Sequence, residues 1–270
     1  MRFGISLANV GSYSDPNGAV DIARVAEENG WDAVFLWDHL AFAWGAPAAD
    51  PWVTLAAIAA ATERIRLGTM VTPVARRRPH VLAQTVATLD RLSGGRVTFG
   101  AGLGGSASEF AKFGESEDAR VRADKLDEAL DVLRAFWSGN EVTHHGRHYV
   151  VEGVTLMPAP VQRHVPIWIG GHRRASLRRA ARWDGWVADS ADPTGNTISP
   201  SDLARGISEI GRAEDFDVAV LARSDNAGPA AYEAAGATWW LERVDDRRGK
   251  RAQMLKLVAA GPSDSSSSAS

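Results

Sequence analysis

The sequence contains no cysteine. That excludes a disulfide framework, a thiol nucleophile and a thiolate metal site, and it suits a reducing, cytoplasmic setting. Also missing is any run of roughly 18 uninterrupted apolar residues, so no segment reads as a membrane-spanning helix. The start MRFGISLANV has neither the basic opening nor the long apolar block of a signal peptide. Neither acid nor base predominates. Thirty Lys and Arg stand against 33 Asp and Glu, and the net charge of -3 gives no footprint for nucleic acid. The one basic cluster, Arg76-Arg77-Arg78 before Pro79, reads as a solvated loop, with a phosphate site as the alternative.

What is present is a chain of 270 residues, 45% of them hydrophobic, enough for a large core. Eight short apolar runs read as strands: Arg2 to Leu7, Ala33 to Trp37, Ile65 to Val71, Val97 to Ala101, Ile167 to Ile169, Trp186 to Ala188, Val218 to Leu221 and Thr238 to Leu241. Helical segments alternate with them. Asp15-Pro16 and Asp50-Pro51 open helices, Gly30 closes one, and Asp118 to Trp137 carries apolar residues at helical spacing. Strands that are apolar throughout belong to a parallel sheet covered on both faces. Eight βα units in this length predict a (β/α)8 TIM barrel over residues 1–260, with one extended or hairpin-like insertion between Gly139 and Pro166 after the fourth unit. The serine-rich stretch 261–270 reads as a disordered tail.

In such a barrel, chemistry gathers where strands end. FLWDHLAFAW, Phe35 to Trp44, ends an apolar strand in Asp38-His39, a pair that is costly to bury without partners. Either Asp38 caps the next turn and His39 packs on Trp44, or the two form a proton-handling site. Trp37, Phe42, Trp44 and Trp52 could wall an apolar substrate pocket or fill core, and the same choice applies to Trp239-Trp240. GAGLGG, Gly100 to Gly105, fits the dinucleotide pattern GxGxxG, which would make the protein a nicotinamide-dependent dehydrogenase; the glycines equally suit close backbone approach to a flat ligand. GGHRRAS places Gly170, Gly171, Arg173 and Arg174 between a strand and a helix start, where a phosphate could bind or an ordinary turn could sit. HHGRH, His144 to His148, lacks a carboxylate at ligand spacing, so no metal is expected. A catalytically silent cofactor-binding barrel is a further reading.

Taken together, GWDAVFLWDHL, RIRLGTMVTPVARRRPHVLAQTVATLDRLSGGRVTFGAGLG, FWSGNEVTHHGRHYVVEGV, VPIWIGG, AARWDGWVADS and AGATWWLE resemble the bacterial-luciferase-like superfamily of flavin- and deazaflavin-dependent oxidoreductases. The resemblance implies a barrel, often homodimeric, that holds coenzyme F420 or FMN at its C-terminal mouth and is sometimes served by a separate reductase. It implies that Asp38 binds the ring's polar edge and that His39 is the catalytic proton donor or acceptor. Thr72, Leu103, Gly104 and Ser108 would line the ring, while Gly170, Gly171, Arg173 and Arg174 would hold the phosphate. Independently of the resemblance, the aromatic residues themselves suggest Trp44 and Trp52 as the substrate-facing ones. Relatives often carry a cis peptide near Met70-Val71. Asp38-His39 with Thr72-Pro73 follows the deazaflavin users, which favours coenzyme F420. Two departures narrow the activity. Glucose-6-phosphate-oxidising relatives carry a glutamate at the place of Gly105 and an aromatic at Ala43, and luciferases proper carry an arginine at Leu103. The short span Ser190 to Ser199 leaves little room for the lid of larger relatives.

Overall fold

Among the described residues ten strands form, the barrel strands where the sequence turns apolar: β1 (Arg2–Leu7), β2 (Ala33–Leu36), β3 (Arg66–Pro73), β4 (Val97–Gly102), β5 (Val142–His145), β6 (Val150–Val154), β7 (Ile167–Gly170), β8 (Gly185–Ala188), β9 (Asp217–Ala222) and β10 (Trp239–Val244). The helices between and around them are α1 (Pro16–Glu28), α2 (Pro51–Ala61), α3 (Pro79–Leu92), α4 (Ser108–Ala111), α5 (Ala119–Trp137), α6 (Arg174–Ala180), α7 (Pro200–Ile210), α8 (Pro229–Ala234) and α9 (Arg251–Ala259). This computed structural model describes residues 1–40, 45–189, 198–211, 215–224 and 228–262. Phe42, Ala43 and Trp44, residues 190–197 of the span expected to be too short for a lid, and residues 263–270 of the serine-rich end lie outside them.

The helix starts follow from side-chain chemistry. Asp15 accepts from the Asn17 N–H, Asp50 from those of Trp52 and Val53, and Asp118 from that of Arg120. Each cap satisfies donors that a helix start would otherwise leave open, and Pro16 and Pro51 cost nothing at positions whose N–H has no helical partner.

Eight strands close into a parallel barrel in the order β1-β10-β9-β8-β7-β4-β3-β2, and β5 with β6 forms a separate antiparallel hairpin. A closed ring has no topological switch point at which a dinucleotide could lie, so the nicotinamide-dehydrogenase reading of Gly100 to Gly105 is overturned. Those glycines serve packing instead. A Cβ on Gly100 would stand 2.0 Å from the Thr69 carbonyl oxygen, so only glycine lets β4 approach β3 there. The register between those strands shifts from Thr69 to Thr72, and the Met70-Val71 peptide is cis, as the family resemblance led one to expect.

Inside the ring, Phe35, Trp168 and Trp239 meet with ring centres 5.4–6.2 Å apart. Such pairs add about 0.5–1.5 kcal/mol each beyond the burial of their area. Trp240, one residue on, faces outward and donates Nε1–H to Glu242, so both tryptophans of that pair are buried structure rather than exposed stacking surface. The aromatic plug closes the barrel's lower half and leaves the C-terminal mouth as the place for polar side chains.

Candidate active site

Asp38 and His39 sit just beyond β2, at the mouth. The Asp38 side chain is only 1% exposed, and its oxygens accept from Arg76 Nη2 at 2.5 Å, Arg77 Nη2 at 2.9 Å and Thr72 Oγ1 at 2.9 Å. It does not cap the next turn. Hydrogen bonds from within the protein reach both oxygens, the partners that a buried carboxylate needs. Arg76 and Arg77 are equally unlike the solvated loop expected of them. The turn from Val74 to Arg76 after β3 folds them back, so that the Arg76 side chain is 9% exposed and bridges Asp38 to Glu109.

Glu109, on α4 beyond β4, carries no signal in the sequence and proves central. Fully buried, it accepts from Arg76 Nη1 at 2.6 Å, from the Leu40 N–H at 2.7 Å and from His39 Nδ1 at 3.2 Å. Burial alone would push its carboxyl up; the hydrogen bond and charge of His39, the Leu40 N–H and Arg76 outweigh this and hold it below the usual carboxylate range. An ionised Glu109 can only accept, so Nδ1 carries the proton toward it. Asn9, just past β1, holds the same loop. Its Nδ2 donates to the carbonyls of His39 and Ala49, and its Oδ1 accepts from the His39 N–H. Asn9 is 2% exposed, another polar residue whose burial at a strand end is explained by the loop it holds.

Across the mouth lies an apolar shelf. Val71, at the irregular part of β3, packs over Gly102 and Gly170; a Cβ on either would stand 2.5 or 3.0 Å from its methyl groups. Beside the shelf, Gly104 has φ +84° and packs on Phe110 and Pro73, while Arg122 stacks on Phe110 and donates to the carbonyls of Leu103 and Gly104. Ser108 shares a hydrogen bond with Ser106 at 2.8 Å. Thr72, Leu103, Gly104, Ser108 and Gly170 thus all lie at the C-terminal ends of β3, β4 and β7 or in the segment that follows β4, and the Thr72 hydroxyl is buried against Asp38.

The remaining expected site residues divide. Gly171 follows β7 with φ +117°, and Arg173 caps α6. Arg174 points to another helix, its Nε donating to Glu209 at 2.7 Å. Trp52 is corrected: it is 5% exposed and packs 6.0 Å from Phe99, between α2 and the barrel's outer face, so it cannot wall the mouth. Trp44 lies outside the described residues. In HHGRH, Glu128 on α5 accepts from His144 Nε2 and from the N–H groups of His148 and Tyr149, which makes the segment a clamp for the hairpin. Among the described residues no group of three or more His, Asp or Glu is placed to hold a metal, and no helix is long and apolar enough to cross a membrane.

A parallel barrel with a buried charge network under one histidine at its C-terminal mouth has the layout of an enzyme site assembled from βα loops. The chain belongs to the luciferase-like monooxygenase family, whose pattern matches residues 1–253. It is 38% identical over 225 residues to an F420-dependent glucose-6-phosphate dehydrogenase of Microbacterium testaceum, an alignment covering 80% of this chain and 65% of that one. A protein of the same description from Beutenbergia cavernae is 37% identical over 216 residues, covering 76% and 63%. The chain therefore spans just under two thirds of the length of these relatives. Among solved structures, the monooxygenase RslO1 from Streptomyces bottropensis superposes with a TM-score of 0.74 at 24% identity, over 96% of this chain and 98% of that one. The coenzyme F420 dependent tetrahydromethanopterin reductase of Methanopyrus kandleri gives 0.69 at 24% identity, over 82% and 65%. Those two likenesses establish the barrel fold.

Proposed function

We propose that the protein is an oxidoreductase that uses a flavin-type cofactor, coenzyme F420 ahead of FMN, on a small organic substrate at the barrel mouth. The observation that carries this is the His39–Glu109–Arg76–Asp38 network beside the Val71 shelf. Sequence identity of 37–38% to relatives described as F420-dependent supports the choice of coenzyme F420.

The residues fit such a group. A flat tricyclic ring needs an apolar bed, and Val71 between Gly102 and Gly170 supplies one. Leu103, Gly104 and Ser108 border it, and Asp38 acts on the polar edge through Arg77, which it orients. Gly170, Gly171 and Arg173 would take the phosphate, with Arg174 joining only if it leaves Glu209. Bound there, coenzyme F420 supplies two-electron hydride chemistry at a ring carbon, and FMN would add reactivity toward oxygen. The chain's own part is to orient, exclude water and move one proton. Glu109 and Asn9 fix the His39 ring and backbone, and His39 Nε2 gives a proton to the substrate oxygen or takes one from it.

Glucose 6-phosphate is not the proposed substrate, since Gly105 replaces the glutamate that such relatives carry. Family resemblance supplies two further parts of the proposal, homodimer assembly and a separate reductase that renews the cofactor. Equilibrium titration with coenzyme F420 and FMN, each oxidised and reduced, tests the core reading. Saturable binding of coenzyme F420 is expected, and failure to bind any of the four would overturn it.

A further inference from the structure

Arg243 is the third inward-facing residue of β10, above Trp239 and Leu241, in register with Ser6 of β1. It thus stands at the mouth between β1 and β9, away from the Val71 shelf on β3, β4 and β7. Its side chain is 9% exposed, yet among the described residues it finds no hydrogen-bond acceptor: Nε is buried without a partner, and the nearest carboxylate, Asp245 Oδ2, is 3.8 Å from Nη2. Of the four arginines buried among the described residues, Arg96, Arg122, Arg179 and Arg243, the other three all donate hydrogen bonds, although Arg122 Nε, like that of Arg243, has no partner. Arg96, for example, donates to five acceptors. A buried cation without good partners is costly. Packing alone does not call for it, because an apolar side chain of similar volume would fill the place.

The surroundings indicate what completes it. The guanidinium carbon lies 5.4 Å from the centre of the Trp37 ring, whose Nε1 is tied to Ser6 Oγ and whose edge faces the His39 ring 6.2 Å away. One fixed aromatic ring thus neighbours both the Arg243 guanidinium, whose Nε has no partner, and the proposed proton-transfer group. A guanidinium fork matches a planar carboxylate with two parallel hydrogen bonds. The nearby Asp245 carboxylate disfavours a dianion such as phosphate in the same place. We infer that Arg243 is the substrate-anchoring residue of this site and that the substrate is a carboxylic acid: its carboxylate pairs with Arg243, and its body crosses Trp37 to bring the reacting carbon to His39. The assignment of that reacting carbon rests on the function proposed above; the anion site itself does not.

The test uses benzoate, a planar monocarboxylate suited to an aromatic wall, with the full chain and no cofactor, so that failure of cofactor binding leaves the result readable. Calorimetry should show one saturable benzoate site, at least ten-fold weaker in Arg243→Met, partly kept in Arg243→Lys and kept in His39→Ala. Benzamide, which lacks the charge, should bind at least ten-fold more weakly than benzoate. Arg243→Met should melt no lower than the parent protein, since it removes an unsatisfied cation; a lower melting point would show a structural role and overturn the assignment. No saturable benzoate site, unchanged binding in Arg243→Met, or phosphate bound more tightly than benzoate at a site lost in Arg243→Met would each overturn it as well.

Discussion

Replacing Glu109 by Gln changes one buried oxygen into an amide and leaves the shape almost intact. Arg76 Nη1, the Leu40 N–H and His39 Nδ1 all point at the two carboxylate oxygens, so an amide group must face at least one donor. Removing one partner of a buried charge pair costs about 3–5 kcal/mol. The lower end applies here because Arg76 keeps Asp38 as a partner. A loss of about 3 kcal/mol corresponds to a fall in Tm of roughly 6–12 °C for a protein of this size.

The same variant carries a pH signature. Glu109 is held below the ordinary carboxylate range in the folded protein, so its contribution is complete above the unfolded value of about 4.3 and disappears as pH falls through the lower folded value. The gap between parent and Glu109→Gln should therefore be constant from about pH 6 upward and shrink below about pH 4. Urea unfolding followed by tryptophan fluorescence at several pH values measures both. A loss under about 1 kcal/mol at neutral pH, or a gap that grows on acidification, would refute the claim that Glu109 is an ionised hub.

Three further outcomes follow from the geometry. His39→Ala should fold normally, since its side chain is 23% exposed, and should lower kcat by about 10²–10⁴-fold in steady-state assays with the cofactor that binds. A Cβ added at Gly105 would meet nothing within 4 Å, so Gly105→Glu should leave Tm unchanged, whereas Gly100→Ala, whose Cβ would meet the Thr69 carbonyl at 2.0 Å, should fail to give soluble folded protein. Glu128 is pushed up by burial but held below its ordinary range by His144 and the N–H groups of Tyr149 and His148, so amide exchange in the β5–β6 hairpin should speed up as pH falls below about 4, and Glu128→Gln should remove that dependence.

Much of the barrel was legible because strands covered on both faces must be apolar throughout, and all eight barrel strands coincide with apolar runs. Legibility failed at their upper ends. Glu242 and Arg243 look like the close of a strand that in fact runs on to Val244, and Thr72-Pro73 looks like a loop although β3 includes it. At the mouth, inward positions face a ligand site rather than core, so the pattern that reveals a strand stops before the strand does. Glu109 was hidden differently. It lies on a four-residue helix behind a glycine-rich stretch, too short for any periodicity, and its partners are 33 and 70 residues away in sequence. Asp38-His39 could be singled out because the pair interrupts an apolar strand, but the chain does not show that three other residues already hold Asp38.

Hydrogen-bond satisfaction separates two kinds of buried charge in this mouth. Asp38, Arg76 and Glu109 are closed among themselves, and each has its partners before anything binds. Groups of that kind hold their neighbours still, and they do so for His39 and the loop after β2. Arg243 is the opposite case: comparably buried, it has an aromatic ring at 5.4 Å and no hydrogen-bond acceptor among the described residues. A protein under selection for stability alone would replace it at no loss. The distinction predicts opposite signs on substitution, with Glu109→Gln lowering stability and Arg243→Met preserving or raising it. A site whose supporting charges are complete and whose binding charge is not has its specificity in the incomplete one; under the proposed function that puts selectivity on β10 and the proton transfer just beyond β2.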